Sequence, residues 1–441
     1  MYLDISDGTT TVVLSGTSPV KGCTYFPQTA QYRSGDWQPV TEDATVNLQG
    51  TAANIRTTIN NVETLLQAAI RRQETGVGDR VYVNYKPVDA DAATFRSEVY
   101  DGRVVWSTDP GLRRLGDTNP PVQVAVIWTR APGWDGTETE ASISSNGQGA
   151  ATGGRTVTNN PAGANWIQAA AAQITGDMPT PCRLELTNTT GSSQAYRKLF
   201  LNVNAFSDPA NLVYYLQGES VVSGGSSSAD ATCSGGNYRQ FTVVPTAATY
   251  QWTLPAADMQ RTKGRRARII ARVRAITGQL FVQPKILDSG GTQTLWTGDE
   301  LYISSLANNT LWDFGIVPLP PGGYGSAYAA HRLGLSLRGA STFELDVLQL
   351  TMVDAYRYME LSSVSVANNA TVVVDGLEGR NYITASSVQT PLATAFGDPL
   401  MLYPRQLQRL YMLYEIDSAS GVPITGTFSA RLYYRPRRLT V

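Results

Sequence analysis

Between Thr51 and Glu74 the apolar residues Ile55, Ile59, Val62, Leu65, Leu66 and Ala69 recur at spacings of three and four, while Arg56, Asn60, Glu63 and Gln67 fall on the opposite face. That spacing predicts one amphipathic helix. Gly50 and Thr51 supply its start, Arg71 and Arg72 suit the negative end of the helix dipole, and Gly76 and Gly78 stop it. Nearly everything else has the alternation of strands, so this helix has no helical neighbour to cover its apolar stripe. It must therefore lie on a sheet or between sheets.

The composition agrees with a chain made of sheets and turns. Forty glycines, 22 tyrosines against 10 phenylalanines, and only 16% charged residues describe β-structure joined by turns. At 441 residues the chain exceeds one ordinary core, which predicts several domains. Thirty-five basic and 36 acidic residues nearly cancel, which argues against a dedicated nucleic-acid or membrane-surface protein. The three cysteines, Cys23, Cys182 and Cys233, are far apart, and with one histidine in the chain they indicate neither a disulfide framework nor a zinc site. Met1 to Val13 lacks the basic-then-apolar layout of a signal peptide and no run of eighteen apolar residues occurs, so a soluble protein made in a cytoplasm is expected.

Along the chain, Leu3 and Ile5 face Val12 and Leu14 across Asp7-Gly8, which predicts an opening hairpin. Strands are expected at Val46 to Leu48, Val81 to Tyr85 and Val122 to Arg130, with a second hairpin from Ser97 to Trp106 turning at Asp101-Gly102. Pro132 to Gly163 reads as a long polar arm with little to bury, ordered by neighbouring subunits. Trp166 to Ile174, Cys182 to Leu186 and Leu199 to Val203 read as strands, and Ser223 to Gly236 as a loop. Two strands flank Gly339-Ala340-Ser341, and a change of phase at Val347-Leu348 predicts a β-bulge.

Arg261 to Arg274 carries seven basic residues. As a strand it places Arg266, Arg268, Arg272 and Arg274 on one face and Ala267, Ile269, Ala271, Val273 and Ala275 on the other. Such a ladder is either a sheet face balanced by acids on neighbouring strands, the reading that overall neutrality favours, or a docking surface. Catalytic chemistry has little to stand on. His331 lies outside any nucleophile-elbow context, the acids Asp258, Asp299, Glu300, Asp313 and Asp346 belong to no motif, and no glycine-rich phosphate loop or calcium loop occurs. No enzyme, metal or cofactor is expected. Aromatic residues are the better lead for binding: Trp252, Trp296, Trp312 and Tyr324 are candidates for stacking on sugar faces, with core packing as the competing reading.

The order of these features resembles the distal tail and related minor tail proteins of long-tailed bacteriophages. The resemblance rests on the opening strand pair, on Asn54-Ile55-Arg56-Thr57-Thr58-Ile59 continuing to Ala69, on Val81 to Tyr85 with Ser97 to Arg103, and on Trp128 to Gly136. Gly176-Asp177-Met178-Pro179-Thr180-Pro181 and Leu432-Tyr433-Tyr434-Arg435-Pro436-Arg437-Arg438 complete it. It implies an all-β fold with one flanking α-helix, divided into several β-sandwiches. These would be a ring-forming tail-hub sandwich over 1–164 with its arm at 132–163, a galectin-like or carbohydrate-binding-like sandwich over 165–360, and a further sandwich unit over 361–441.

The same resemblance implies a structural subunit of the virion tail, assembled in the host cytoplasm without contact to a membrane. Its partners would be copies of itself in a ring, often hexameric, the other tail proteins of tube, hub and fibres, and as a further candidate a host surface glycan. A tail-tube protein with decoration domains and a carbohydrate-binding adhesin are the alternatives. The exposed helix residues Arg56, Asn60, Glu63 and Gln67 are the candidate contacts to a neighbouring subunit.

Overall fold

The computed structural model describes residues 1–441 except 17, 34–35, 89–92, 107–121, 160–164, 206–212, 255–263, 305–309, 320–330, 354, 393–394 and 417–426. Among the described residues it is an all-β protein with one α-helix, as the sequence predicts. Two compact units divide the chain, and each gathers segments distant in sequence: 1–139 with 175–180 and 435–441 in the first, 140–174 with 181–434 in the second.

In the first unit the helix spans Ala52–Thr75, about 36 Å at 1.5 Å per residue. Thr51 caps it in extended conformation, its hydroxyl accepting from the Asn54 amide at 3.3 Å. Gly76 ends it at φ 70°, a left-handed conformation glycine adopts without penalty, and donates to the Arg72 carbonyl at 2.8 Å. All six residues of the predicted stripe are buried. Thr51→Ala should therefore cost about 1 kcal/mol in chemical denaturation, and an unchanged midpoint would show that this end of the helix is held otherwise.

The helix packs on a sheet ordered Thr11–Val13, Tyr2–Ser6, Tyr82–Lys86, Phe95–Trp106, Val122–Arg130, Val40–Leu48 and Val20–Tyr25. The hairpin expected at Ser97 to Trp106 does not exist. Phe95–Trp106 is one continuous strand that pairs first with Tyr82–Lys86 and then, past a bulge between Val99 and Asp101, with Val122–Arg130. Gly102 is not a turn residue but a point of close approach: a Cβ there would lie 2.6 Å from Leu66 Cδ2 of the helix. The bulge bends the strand, and the sheet folds far enough that Tyr25 on one edge strand meets Tyr85 with ring centroids 5.3 Å apart. The helix stripe, Leu3, Ile5, Val83, Val126 and Trp128 share the core so enclosed.

The second unit contains two sheets around one core. One sheet places Thr427–Tyr434, Thr180–Asn188, Thr371–Asp375, Arg380–Ala385 and Val388–Pro391 side by side; the other is ordered Gln148–Ala151, Ile143–Ser145, Trp166–Ala169, Gln408–Ile416, Gln194–Ala205, Ala355–Val366 and Ala395–Gly397. Leu184, Leu186, Val372 and Leu432 of the first sheet meet Ile167, Leu199, Leu201 and Met412 of the second in their shared core. Residues 361–441 are consequently no separate sandwich, because their strands pair with strands of 180–205 in both sheets. The expected polar arm is also corrected in its described part. Ile143 and Val157 are buried in this core and Trp134 in that of the first unit, and Arg155–Thr158 pairs with Thr427–Tyr434. Three of the short strands there contribute one inward apolar residue each, Trp134, Ile143 and Val157, among serines, threonines and glycines, too few for a visible period.

Residues 206–354 form an insertion at the open end of the hairpin in which Val203 pairs with Ala355. Its sheet is organised by two strands of 22 residues each, Arg266–Leu287 and His331–Met352, paired along their length. Gly339-Ala340-Ser341 does not separate two strands, since the chain runs straight through it. Opposite Arg272 and Val273 lie Val347 and Leu345, which leaves Asp346 as the extra residue of a bulge beside the predicted change of phase.

Candidate functional site

On the first unit, Arg56, Asn60, Glu63 and Gln67 are all exposed on the outer face of the helix. Asn60, Glu63 and Gln67 come together with Thr64 and Arg71 around a shallow depression; Arg56 lies one turn away and does not line it. The wall is pinned by the helix itself, because Thr64 Oγ1 donates to the Asn60 carbonyl at 2.8 Å. An acid, amides and a cation on one rigid surface make a polar contact area with no nucleophile or metal ligand set.

On the second unit the four candidate aromatics separate. Trp252 is no sugar platform. It is 1% exposed in the core of the insertion, donates from Nε1 to the Gln217 carbonyl at 3.0 Å and packs edge-on against Phe241. Its neighbours in the alternation Tyr250-Gln251-Trp252-Thr253-Leu254 point it inward, a signal the sequence already contained. Tyr324 lies outside the described residues. Trp296 and Trp312 are half-buried at adjoining recesses that share Leu301 and Asp313.

Trp296 lies against Gly298, where a Cβ would fall 2.5 Å from the indole and 2.9 Å from Pro284 Cγ. Arg268, Asp299 and Ile316 complete its recess. Trp312 faces Lys198, whose ammonium stands 5.6 Å from the ring centroid, together with Phe200 and Tyr358. Tyr358 in turn stacks against Phe396, which is 61% exposed. Sequence reasoning missed Lys198, Tyr358 and Phe396 because they lie on strands remote from Trp312 and carry no local pattern.

Three of the acids considered for catalysis are engaged in ion pairs. Asp313 takes two hydrogen bonds from Arg268, at 2.8 and 2.5 Å, and one from the Tyr356 hydroxyl at 3.0 Å; Glu300 pairs with Arg338; Asp346 pairs with Arg272 at 2.7 Å. Asp299 lies exposed beside Trp296, and Asp258 is outside the described residues. Among the described residues no three His, Cys, Asp or Glu side chains group closely enough to hold a metal ion. His331 begins one long strand, opposite Leu254.

Three of the four ladder arginines are balanced by acids, and Arg266 is exposed at the start of the strand. Ala267, Ile269, Ala271 and Val273 point into the core, while Arg268 meets Asp313, Arg272 meets Asp346, and Arg274 meets Asp230 and Glu344. Arg272 is itself buried, with Cys233 Sγ 3.3 Å from its Nη1. Burial pushes Asp346 up to about 6 against the opposing pull of Arg272, and burial likewise raises Glu415 against Lys198. A carboxyl whose folded pKa lies above its unfolded value near 3.8 contributes stability below that value and loses it as pH rises through about 6. The second unit should therefore lose stability from pH 4 to pH 6.5 in urea titrations, and Asp346→Asn should flatten that slope. An equal slope in the variant would contradict the assignment.

No family model and no curated protein matches the chain. Among solved structures, a chain from the "Structure of infectious bursal disease virus Gt strain" aligns over 68% of this chain and 82% of that one, at 9% identity and a TM-score of 0.18. A likeness of that size carries no argument about fold or role. No helix among the described residues is long and apolar enough to cross a membrane.

Proposed function

We propose that this protein is a structural, non-enzymatic subunit of the tail of a long-tailed bacteriophage, a distal-tail or tail-hub component that forms a ring with copies of itself and joins the tube to the host-recognition apparatus. The observation that carries the reading is the helix Ala52–Thr75 laid on a folded sheet, its apolar stripe fully buried and its outer face polar and open. Beside it stands the resemblance of residues 54–69 and the flanking strands to tail proteins. A ring subunit needs rigid surface more than chemistry, and a charged helix face supplies contacts whose pairing is specific to one neighbour. Sedimentation of the purified protein tests this. The wild type should run as a closed oligomer and Glu63→Arg as a smaller species; identical sedimentation of the two would remove the helix face from the interface.

A second reading, carbohydrate binding by the insertion, is favoured by one observation: Trp296 and Trp312 line adjoining recesses with Asp299 exposed beside them. Aromatic faces flanked by carboxylates suit stacking on a sugar with hydrogen bonds to its hydroxyls. Glycan-array binding that disappears in both Trp296→Ala and Trp312→Ala would support it, and an array without signal for the wild type would dismiss it.

A further inference from the structure

Residues 435–441 belong to the first unit although the strand before them, Thr427–Tyr434, belongs to the second. In the first unit they fill a slot between the segments 133–138 and 175–180. Arg437–Arg438 pairs antiparallel with Trp134–Asp135, and Arg437 forms a parallel bridge with Gly176. The backbone is held on both sides: the Gly136 amide donates to the Pro436 carbonyl at 2.8 Å, and the Asp177 amide to the Arg437 carbonyl at 2.8 Å.

The side chains add direction. Arg437 donates to both carboxylate oxygens of Asp135, at 2.7 and 3.3 Å, and Arg435 pairs with Glu138 at 3.2 Å. Both walls of the slot are shaped for this one occupant. A Cβ on Gly133 would lie 2.5 Å from Arg437 Cγ, and one on Gly176, which sits at φ +122°, would lie 2.6 Å from the Arg437 carbonyl oxygen. Trp134, fully buried, stands where the slot meets the core, stacked under the Arg130 guanidinium and touching Tyr85; Val441 packs against the same core.

We infer that residues 435–441 act as a completion strap that sets the order of folding: the first unit cannot close until they are in place, so it closes after the second unit's strands have been made. The asymmetry follows from separation along the chain. Asp135 and Arg437 are 302 residues apart, and a chain emerging from its amino end leaves the slot unfilled while everything between is synthesised. An unfilled slot exposes the unpaired backbone of 134–136 and 176–178 and strips Asp135 of its partner, which holds the unit in an open state.

The test uses ribosome-stalled chains of two lengths, one with residue 434 and one with residue 441 clear of the exit tunnel, probed by limited proteolysis. The shorter chain should be cut within residues 122–136 at least tenfold faster than the longer one, while sites within 181–205 are cut equally in both. Full-length Gly176→Ala, which displaces the strap without shortening the chain, should reproduce the selective cutting of 122–136 and so separates the strap's effect from that of truncation. Equal resistance of 122–136 in the two stalled chains, or a Gly176→Ala protein as resistant there as the wild type, overturns the inference.

Discussion

Glu42→Ala will destabilise the first unit by about 3–5 kcal/mol, the range found when one partner of a buried ion pair is removed and the other left behind. Arg130 is entirely buried, donating from Nε and Nη2 to the two oxygens of Glu42 at 2.9 and 2.6 Å. Glu42 also accepts from the Tyr25 hydroxyl and from the Gln28 amide, each at 2.6 Å. Alanine therefore leaves the buried guanidinium's charge and the Tyr25 hydroxyl without their carboxylate beside Trp128 and Trp134, with only the Ala131 and Gln28 carbonyls still accepting from Arg130. Unfolding in urea followed by hydrogen exchange at the amides of 122–130 measures the loss. Glu42→Leu combined with Arg130→Met should recover much of it, because the cost lies in the unpaired charge and not in missing volume. A loss below 1 kcal/mol in the single variant would mean that Arg130 finds water or another acceptor.

Trp252→Ala will cost the insertion about 3–5 kcal/mol, the usual result of emptying a buried tryptophan site. Its ring packs edge-on against Phe241 in the insertion's core, and its indole nitrogen holds the Gln217 carbonyl. Trp296→Ala, at a half-buried position, should leave the fold in place with a loss well under that value. Differential calorimetry of the two variants separates core from surface directly. Similar losses in both would contradict the burial difference on which the second functional reading depends.

What the sequence discloses and what it conceals divide along physical lines. The helix is legible to within one residue at each end because its stripe, cap and stop are local, and the strand Val122–Arg130 is legible because Val124, Val126 and Trp128 alternate inward. Glycine misled twice. Asp101-Gly102 and Gly339-Ala340-Ser341 look like turns, yet Gly102 is small so that Leu66 can approach, and Gly339 so that the Gln279 carbonyl can. Local sequence cannot distinguish a bend from a close contact, since both ask for the same missing Cβ.

Long-range pairing was likewise hidden. Glu42 and Arg130 stand 88 residues apart, and nothing in either neighbourhood announces the other. The candidate helix residues were found as a group because they share one face. Of the aromatics, Trp296 and Trp312 share a region of surface while Trp252 is core, a difference that aromatic content does not carry and the alternation from Tyr250 to Leu254 does.

Negative-stain electron microscopy of the purified full-length protein is the most direct test of the proposed role. Closed rings of uniform diameter that do not stack into tubes are expected. Monomers at every concentration examined would contradict it, and long tubes would replace the hub by the tube.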